Sequence, residues 1–143
     1  MDVESVPTTT SQQTKAGGEQ QPGVEHRMDP KPQVIRDDYK GAGKLQGRIA
    51  IITGADSGIG RAVAVHFARE GAAGVAISYL NEHKDAQETQ ALVEKEGGKA
   101  LCIAGDVGDD RHCKDIVPKT LAHFGVDRIG AYLRRFGPGF LLC

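Results

Sequence analysis

The stretch Thr53-Gly54-Ala55-Asp56-Ser57-Gly58-Ile59-Gly60 constrains the fold of this chain more than any other. It follows the apolar run Ile49-Ala50-Ile51-Ile52 and leads into Arg61-Ala62-Val63-Ala64-Val65-His66-Phe67-Ala68. A short β-branched run, then glycines, then apolar residues at helical spacing predicts strand, tight turn and helix. Some glycines in such a turn take backbone angles closed to other residues. The others leave room for a ligand against the main chain. Phosphate is the expected ligand, because the first turn of a helix presents unpaired N–H groups and a partial positive charge.

The glycine spacing separates the phosphate-binding turns. A P-loop needs Lys and then Ser or Thr after its last glycine, whereas Gly60 is followed by Arg61-Ala62. Gly41-Ala42-Gly43-Lys44 fails the same pattern, with Asp38 at the first glycine position and Leu45 at the hydroxyl position, and it follows no strand. The common dinucleotide fingerprint is GxGxxG; this chain has GxxxGxG preceded by Thr53. With a strand before it and a helix after it, the pattern favours nucleotide binding over a purely structural turn.

Composition narrows the classes further. The chain has 143 residues, a net charge of −1 and a pI near 6.5, which leaves no nucleic-acid footprint. Cys102, Cys113 and Cys143 form no CxxC pair and leave an odd count, which favours a reducing compartment. No apolar run reaches membrane-spanning length. The N-terminus carries Asp2, Glu4 and Glu19 and no arginine before Arg27, unlike a secretory or transit segment. The expected location is the cytoplasm, with no membrane partner.

Residues 1–20 are mostly Thr, Ser, Gln, Gly and Glu and are expected to form a disordered tail. Residues 21–44 read as an extended arm, with Pro22, Pro30 and Pro32 each lacking a backbone donor. Met28, Val34, Ile35 and Tyr39 leave two readings open, an arm packed on a folded surface or a solvated one. Over residues 45–125 strands and helices alternate. Strands are predicted at 48–53, 75–79 and 100–104. Helices are predicted at 58–70, with Ile59, Val63 and Phe67 on one face, and at 84–96, with Ala86, Thr89 and Val93 inward. A third helix starts near Asp109-Asp110, which suit a helix N-terminus, and buries Cys113, Ile116, Val117, Thr120, Leu121 and Phe124. Pro118 falls inside it, costing about 3 kcal/mol unless a kink or late start relieves the clash. Alternation in this order implies an α/β fold with a parallel sheet wound by right-handed crossovers.

Residues able to carry chemistry cluster after the strands. A nucleotide-binding fold places an acid after its second strand to bind the ribose hydroxyls and repel a 2′-phosphate. Here Ser78-Tyr79-Leu80-Asn81 supplies neutral donors, with no acid until Glu82 and with His83 and Lys84 nearby, so the reading leans to NADP. The missing acid also argues against a methyltransferase. After the third strand, Asp106 can accept from an adenine amino group while Val107 covers the ring; alternatively Asp106 only begins a turn. The five histidines have no metal-ligand spacing, and Ser57 lacks the setting of a hydrolase nucleophile.

Residues 43–125 resemble the N-terminal half of a short-chain dehydrogenase/reductase. Gln21-Pro22-Gly23, Met28-Asp29-Pro30, Lys44-Leu45-Gln46-Gly47, the turn from Thr53 to Arg61 and Asp85-Ala86-Gln87-Glu88-Thr89 are similar to its glucose-and-ribitol-dehydrogenase-like, general-stress branch. The resemblance implies half of a Rossmann-type doubly wound sheet. It implies a nicotinamide dinucleotide, NAD(P), with Gly54, Asp56, Ser57, Gly58, Ile59 and Gly60 on the diphosphate side. Tyr79 and Asn81 would lie by the adenosine ribose, and Asp106 and Val107 by adenine. Ser57 stands where NADP-preferring members often carry arginine.

After Phe124-Gly125 the resemblance stops, and the family's Asn-Asn-Ala-Gly signature is absent. Residues 126–143 are expected to be an irregular tail, arising from a shifted frame, altered splicing or a gene-model error. The family's catalytic Tyr-x-x-x-Lys has no counterpart, since Gly43, His83 and Phe136 stand four residues beyond Tyr39, Tyr79 and Tyr132. No catalytic residue transfers. Without a second half, residues 49–52 would form a bare apolar sheet edge. The expected protein is therefore the cofactor-binding half of an NAD(P)-dependent oxidoreductase of sugars, polyols or aldehydes, or else an inactive nucleotide-binding fragment, either unstable or assembling with an intact homologue. Another phosphate-binding α/β domain, marked by preference for ATP or S-adenosylmethionine, stays open.

Overall fold

The computed structural model describes residues 25–136 and 139–142; the tail expected over 1–20 and the start of the arm lie outside them. After a 3-10 turn at Glu25–Arg27 the order is β1 (Ile49–Thr53), α1 (Gly58–Arg69), β2 (Gly74–Tyr79), α2 (His83–Lys95), β3 (Lys99–Ala104), α3 (Asp110–Phe124), β4 (Ala131–Phe136) and β5 (Gly139–Leu142). The sheet runs β3-β2-β1-β4-β5. β1 pairs in parallel with both β2 and β4, β3 extends the other side of β2, and β5 returns antiparallel to β4.

Strand alternation sorts the core into two layers. Ile52, Val75, Ile77 and Tyr79 face α1 and α2, where Ala64, Ala68, Ala86 and Val93 complete a cluster. Ile51, Ala76 and Ile103 face the other way and pack with Ile116 of α3. Both faces of β1 and β2 are thus covered, which is why neither strand shows polar alternation.

Four expectations are corrected. Residues 131–136 and 139–142 are not an irregular tail, and β1 is not a bare edge: Ala50, Ile51 and Ile52 register against Ala131, Tyr132 and Leu133. The physical reason is that unpaired main-chain N–H and C=O groups along a central strand are satisfied by whatever extended segment follows. In α1, Val63 and Phe67 are half-buried against the core as spaced, but Ile59 is 61% exposed, and the fully buried line is Gly60, Ala64 and Ala68. Small residues win there because the helix lies close against the turn. In α3, Ile116 and Thr120 are buried as spaced, but Val117 is 40% exposed. That helix also begins at Asp110 and runs through Pro118, so a late start does not relieve the proline. Pro118 and Lys114 are both exposed, so the carbonyl that Pro118 cannot serve lies on the solvent side.

The arm from residue 25 packs on its own domain. Glu70 accepts from the Tyr39 hydroxyl and from the N–H groups of Ala42 (2.9 Å) and Lys44 (3.1 Å). Arg69 donates to the carbonyls of Arg36 and Tyr39 and forks onto Glu96 at 2.8 and 2.6 Å. These contacts hold the arm across the end of α1, and Val34, Ile35 and Tyr39 are half-buried, which favours the packed reading for them; Met28, at 41% exposed, does not follow it.

Candidate functional site

Sheet order reverses between β1 and β4, because β2 and β3 build outward on one side and β4 on the other. In open α/β sheets the crevice at such a switch point, beyond the carboxyl ends of the strands, is where ligands bind. The turn at residues 54–57 leaves β1 at that end. Gly54 has φ 67° and Gly58 φ 54°, conformations that glycine adopts without strain, and a β-carbon at either would meet only open space. Gly60 serves a different purpose: a β-carbon there would stand 2.1 Å from the Gly54 carbonyl oxygen. Two of the glycines therefore shape the turn and leave its surface bare, while the third lets the helix close on it.

The turn is tied down on its inner side. The N–H groups of Gly54 and Ala55 both donate to the Ser78 carbonyl at the end of β2, at 2.8 and 3.3 Å. Gly105, after β3, donates to the Tyr79 carbonyl at 2.9 Å. The three strand ends thus share one shelf. Ser57, the residue before α1, is extended and makes no side-chain cap bond. Ile59 follows, exposed, in the first turn, where the Gly58 N–H is taken by the Glu25 carboxylate and those of Ile59 and Gly60 have no intrahelical carbonyl in reach. Bare glycines, exposed first-turn amides and a switch-point location fit the diphosphate of a dinucleotide.

Asp56 is half-buried, and burial, then Asp85 and Glu82, push its carboxyl pKa up, against its own backbone hydrogen bond and Arg61. Tyr79 is buried in the α1–α2 layer, with its hydroxyl 2.8 Å from Nδ1 of His83. Burial raises its phenol pKa, aided by Cys102 and by the Asp56 carboxylate. Asn81 is exposed beyond that strand, and its carbonyl accepts from the His83 N–H at 3.0 Å. Asp106 is exposed and accepts from the Gly108 N–H at 2.7 Å, so it does begin a turn; Val107 is half-buried against the α3 layer.

Sequence reasoning missed Arg61, Glu25 and Asp85, and read Thr89 only as an inward residue of α2. Arg61 is 4% exposed and gathers all of them beneath the turn. The one available signal was the run Asp85-Ala86-Gln87-Glu88-Thr89, whose first and fifth residues share a helical face and meet Arg61. Among the described residues no three His, Cys, Asp or Glu side chains gather to hold a metal, and no helix is long and apolar enough to cross a membrane.

The fold and the turn define a dinucleotide-binding α/β domain of the doubly wound class. The family described as short chain dehydrogenase matches residues 48–129, and the chain belongs to that family. General stress protein 39 of Bacillus subtilis (strain 168) is 55% identical over 105 residues, 73% of this chain and 36% of that protein. Glucose and ribitol dehydrogenase of Daucus carota is 48% identical over 113 residues, 75% of this chain and 38% of that protein. A crystal structure of a short-chain type dehydrogenase/reductase from Mycobacterium marinum superposes with TM-score 0.54 at 32% identity, covering 59% of this chain and 34% of that one. The chain thus spans little more than a third of the length of the relatives it matches.

Proposed function

We propose that this chain holds the diphosphate and adenosine of NAD(P) for hydride transfer between a nicotinamide and the carbonyl or alcohol of a sugar, polyol or aldehyde. The observation that carries this reading is the bare glycine turn at the switch point, where Gly54 and Gly58 open the main chain and α1 offers its first-turn amides. The substrate class follows from the names of the relatives. The bound dinucleotide would supply the hydride; the residues described here bind and orient it. In the proposed pose Ile59 and Gly60 face the diphosphate, Asn81 the ribose, and Asp106 and Val107 the adenine. The neutral strand end at Ser78 to Asn81 supports a lean to NADP. We place the protein in the cytoplasm, because Cys102 and Cys113 are both free thiols.

A second reading, dinucleotide binding without turnover, is favoured by one observation: no tyrosine has lysine four residues on. One experiment separates the two. The purified chain is titrated with NADPH, NADP⁺, NADH and NAD⁺, then mixed with a panel of aldehydes while reduced-nicotinamide absorbance is followed. Oxidation of the reduced nicotinamide supports the enzyme, and binding alone selects the fragment. Preference for ATP or S-adenosylmethionine would overturn both.

A further inference from the structure

The arm delivers a carboxylate to the start of α1. Glu25 is 6% exposed, and one oxygen of its carboxylate accepts from the backbone N–H of Gly58, the first residue of the helix. The other accepts from Nη1 of Arg61 at 2.9 Å, across a separation of 36 residues. The Glu25 N–H in turn donates to Oδ2 of Asp85 at 3.2 Å. Arg61 spends its other donors on the Asp56 carbonyl, from Nε at 3.0 Å and Nη2 at 2.6 Å, on Thr89 Oγ1 at 2.9 Å and on the Asp85 carbonyl at 3.0 Å. Arg61 thereby holds the Asp56–Ser57 peptide of the glycine turn, and Glu25 holds the next one, Ser57–Gly58. Ser57, which would ordinarily cap the helix, makes no cap bond.

This arrangement has a consequence for ligand binding. A glycine peptide with nothing packed above it is free to rotate, and Gly58 is such a residue. Its bond to Glu25 fixes that peptide plane, and so fixes the direction in which the next amides point. Donors held in place before a ligand arrives cost less to order when it binds. A carboxylate near a diphosphate would repel it, but here Arg61 takes up the charge at short range.

We propose that Glu25 is a positioning residue for dinucleotide binding: it caps α1 from outside the helix and holds the glycine turn ready for phosphate, with Arg61 as its neutralising partner. The proposal rests on the dinucleotide reading above.

The test uses the full chain as wild type, Glu25→Ala, Glu25→Gln and Lys31→Ala, with calorimetric titration of NADP⁺ and NAD⁺ and a melting temperature for each. Lys31 reaches Glu88 at 3.4 Å and anchors the arm without touching the turn. Glu25→Ala is expected to weaken binding about tenfold, the loss of one charge-assisted hydrogen bond. Glu25→Gln keeps an acceptor for Gly58 and should recover part of that loss, while Lys31→Ala should bind as wild type. Equal affinity for Glu25→Ala and wild type, or an equal loss in Lys31→Ala, overturns the proposal. Amide hydrogen exchange on the unliganded proteins gives a readout independent of the dinucleotide. Gly58 should exchange faster in Glu25→Ala while Ile51 and Ile77 of the core do not. Unchanged exchange at Gly58 removes the cap. If Glu25→Ala does not fold, Glu25→Gln decides by the same two measurements. Failure of wild type to bind any dinucleotide counts against the function, while the exchange result still judges the cap.

Discussion

The carbonyl oxygen of Gly54 lies 2.1 Å from where a β-carbon on Gly60 would stand. Helix α1 therefore rests on the turn with no room for a methyl group between them. Gly60→Ala should shift backbone atoms on both sides and destabilise the fold by about 2 kcal/mol or more. Gly58→Ala meets open space and faces only its φ of 54°, a strain of about 1 kcal/mol. Urea unfolding of the two variants checks the order; a more stable Gly60→Ala than Gly58→Ala would contradict the packing.

Arg61 is surrounded by Glu25 at 2.9 Å, Glu88 at 3.6 Å and Asp85 at 3.9 Å, and is almost wholly buried. Removing it strands buried carboxylates without a cation, which is costlier than losing the attraction itself. Arg61→Met is expected to lower stability by about 3–5 kcal/mol. Arg61→Lys should recover only part of this, because an ammonium cannot serve the Asp56 carbonyl, Thr89 and Glu25 at once. Denaturant midpoints provide the comparison, and a loss below about 1 kcal/mol in Arg61→Met would refute the account.

Glu70 gives the arm a pH dependence. Hydrogen bonds from the Tyr39 hydroxyl, then from the Lys44 and Ala42 amides, lower its pKa from 4.5 to about 2. A carboxylate depressed on folding contributes stability above its unfolded pKa and loses it as pH falls toward the folded value. The stability difference between wild type and Glu70→Gln should therefore be full at neutral pH, begin to shrink near pH 4.5 and disappear only as pH falls below about 2. Urea unfolding across that window measures it; a gap that does not change with pH would show that Glu70 is not held as an anion.

Asp56 follows Ala55, whose N–H donates to the Ser78 carbonyl at the end of β2 at 3.3 Å. That is where a 2′-phosphate would distinguish NADP from NAD. Replacing the carboxylate by an amide should raise NADP⁺ affinity relative to NAD⁺ by about threefold or more, since an anion next to an anion costs binding. Titrating Asp56→Asn with both dinucleotides tests this, and an unchanged ratio would put the carboxylate out of reach of the ribose.

Much of the fold was legible locally. β1, the glycine turn and α1 follow from a β-branched run, glycines and helical spacing within twenty residues, and each of those signals acts between near neighbours. The inward face of α2 was legible for the same reason: Ala86, Thr89 and Val93 recur at helical intervals and all are fully buried. The face of α1 was legible in part: Val63 and Phe67 pack against the core, but the tight contact between Gly60 and Gly54 brings the small side inward and leaves Ile59 exposed.

The chain's own order of residues determined strand, turn and helix, their alternation and the glycines of a phosphate-binding turn. Those properties depend on backbone angles and periodicity that each short segment carries with it. Tertiary structure alone decided that Glu25 caps α1, that Arg61 gathers Glu25, Asp85 and Thr89, and that β4 covers β1. Each joins groups far apart in sequence, and burial sets their energies by leaving the charges and main-chain groups no water to turn to.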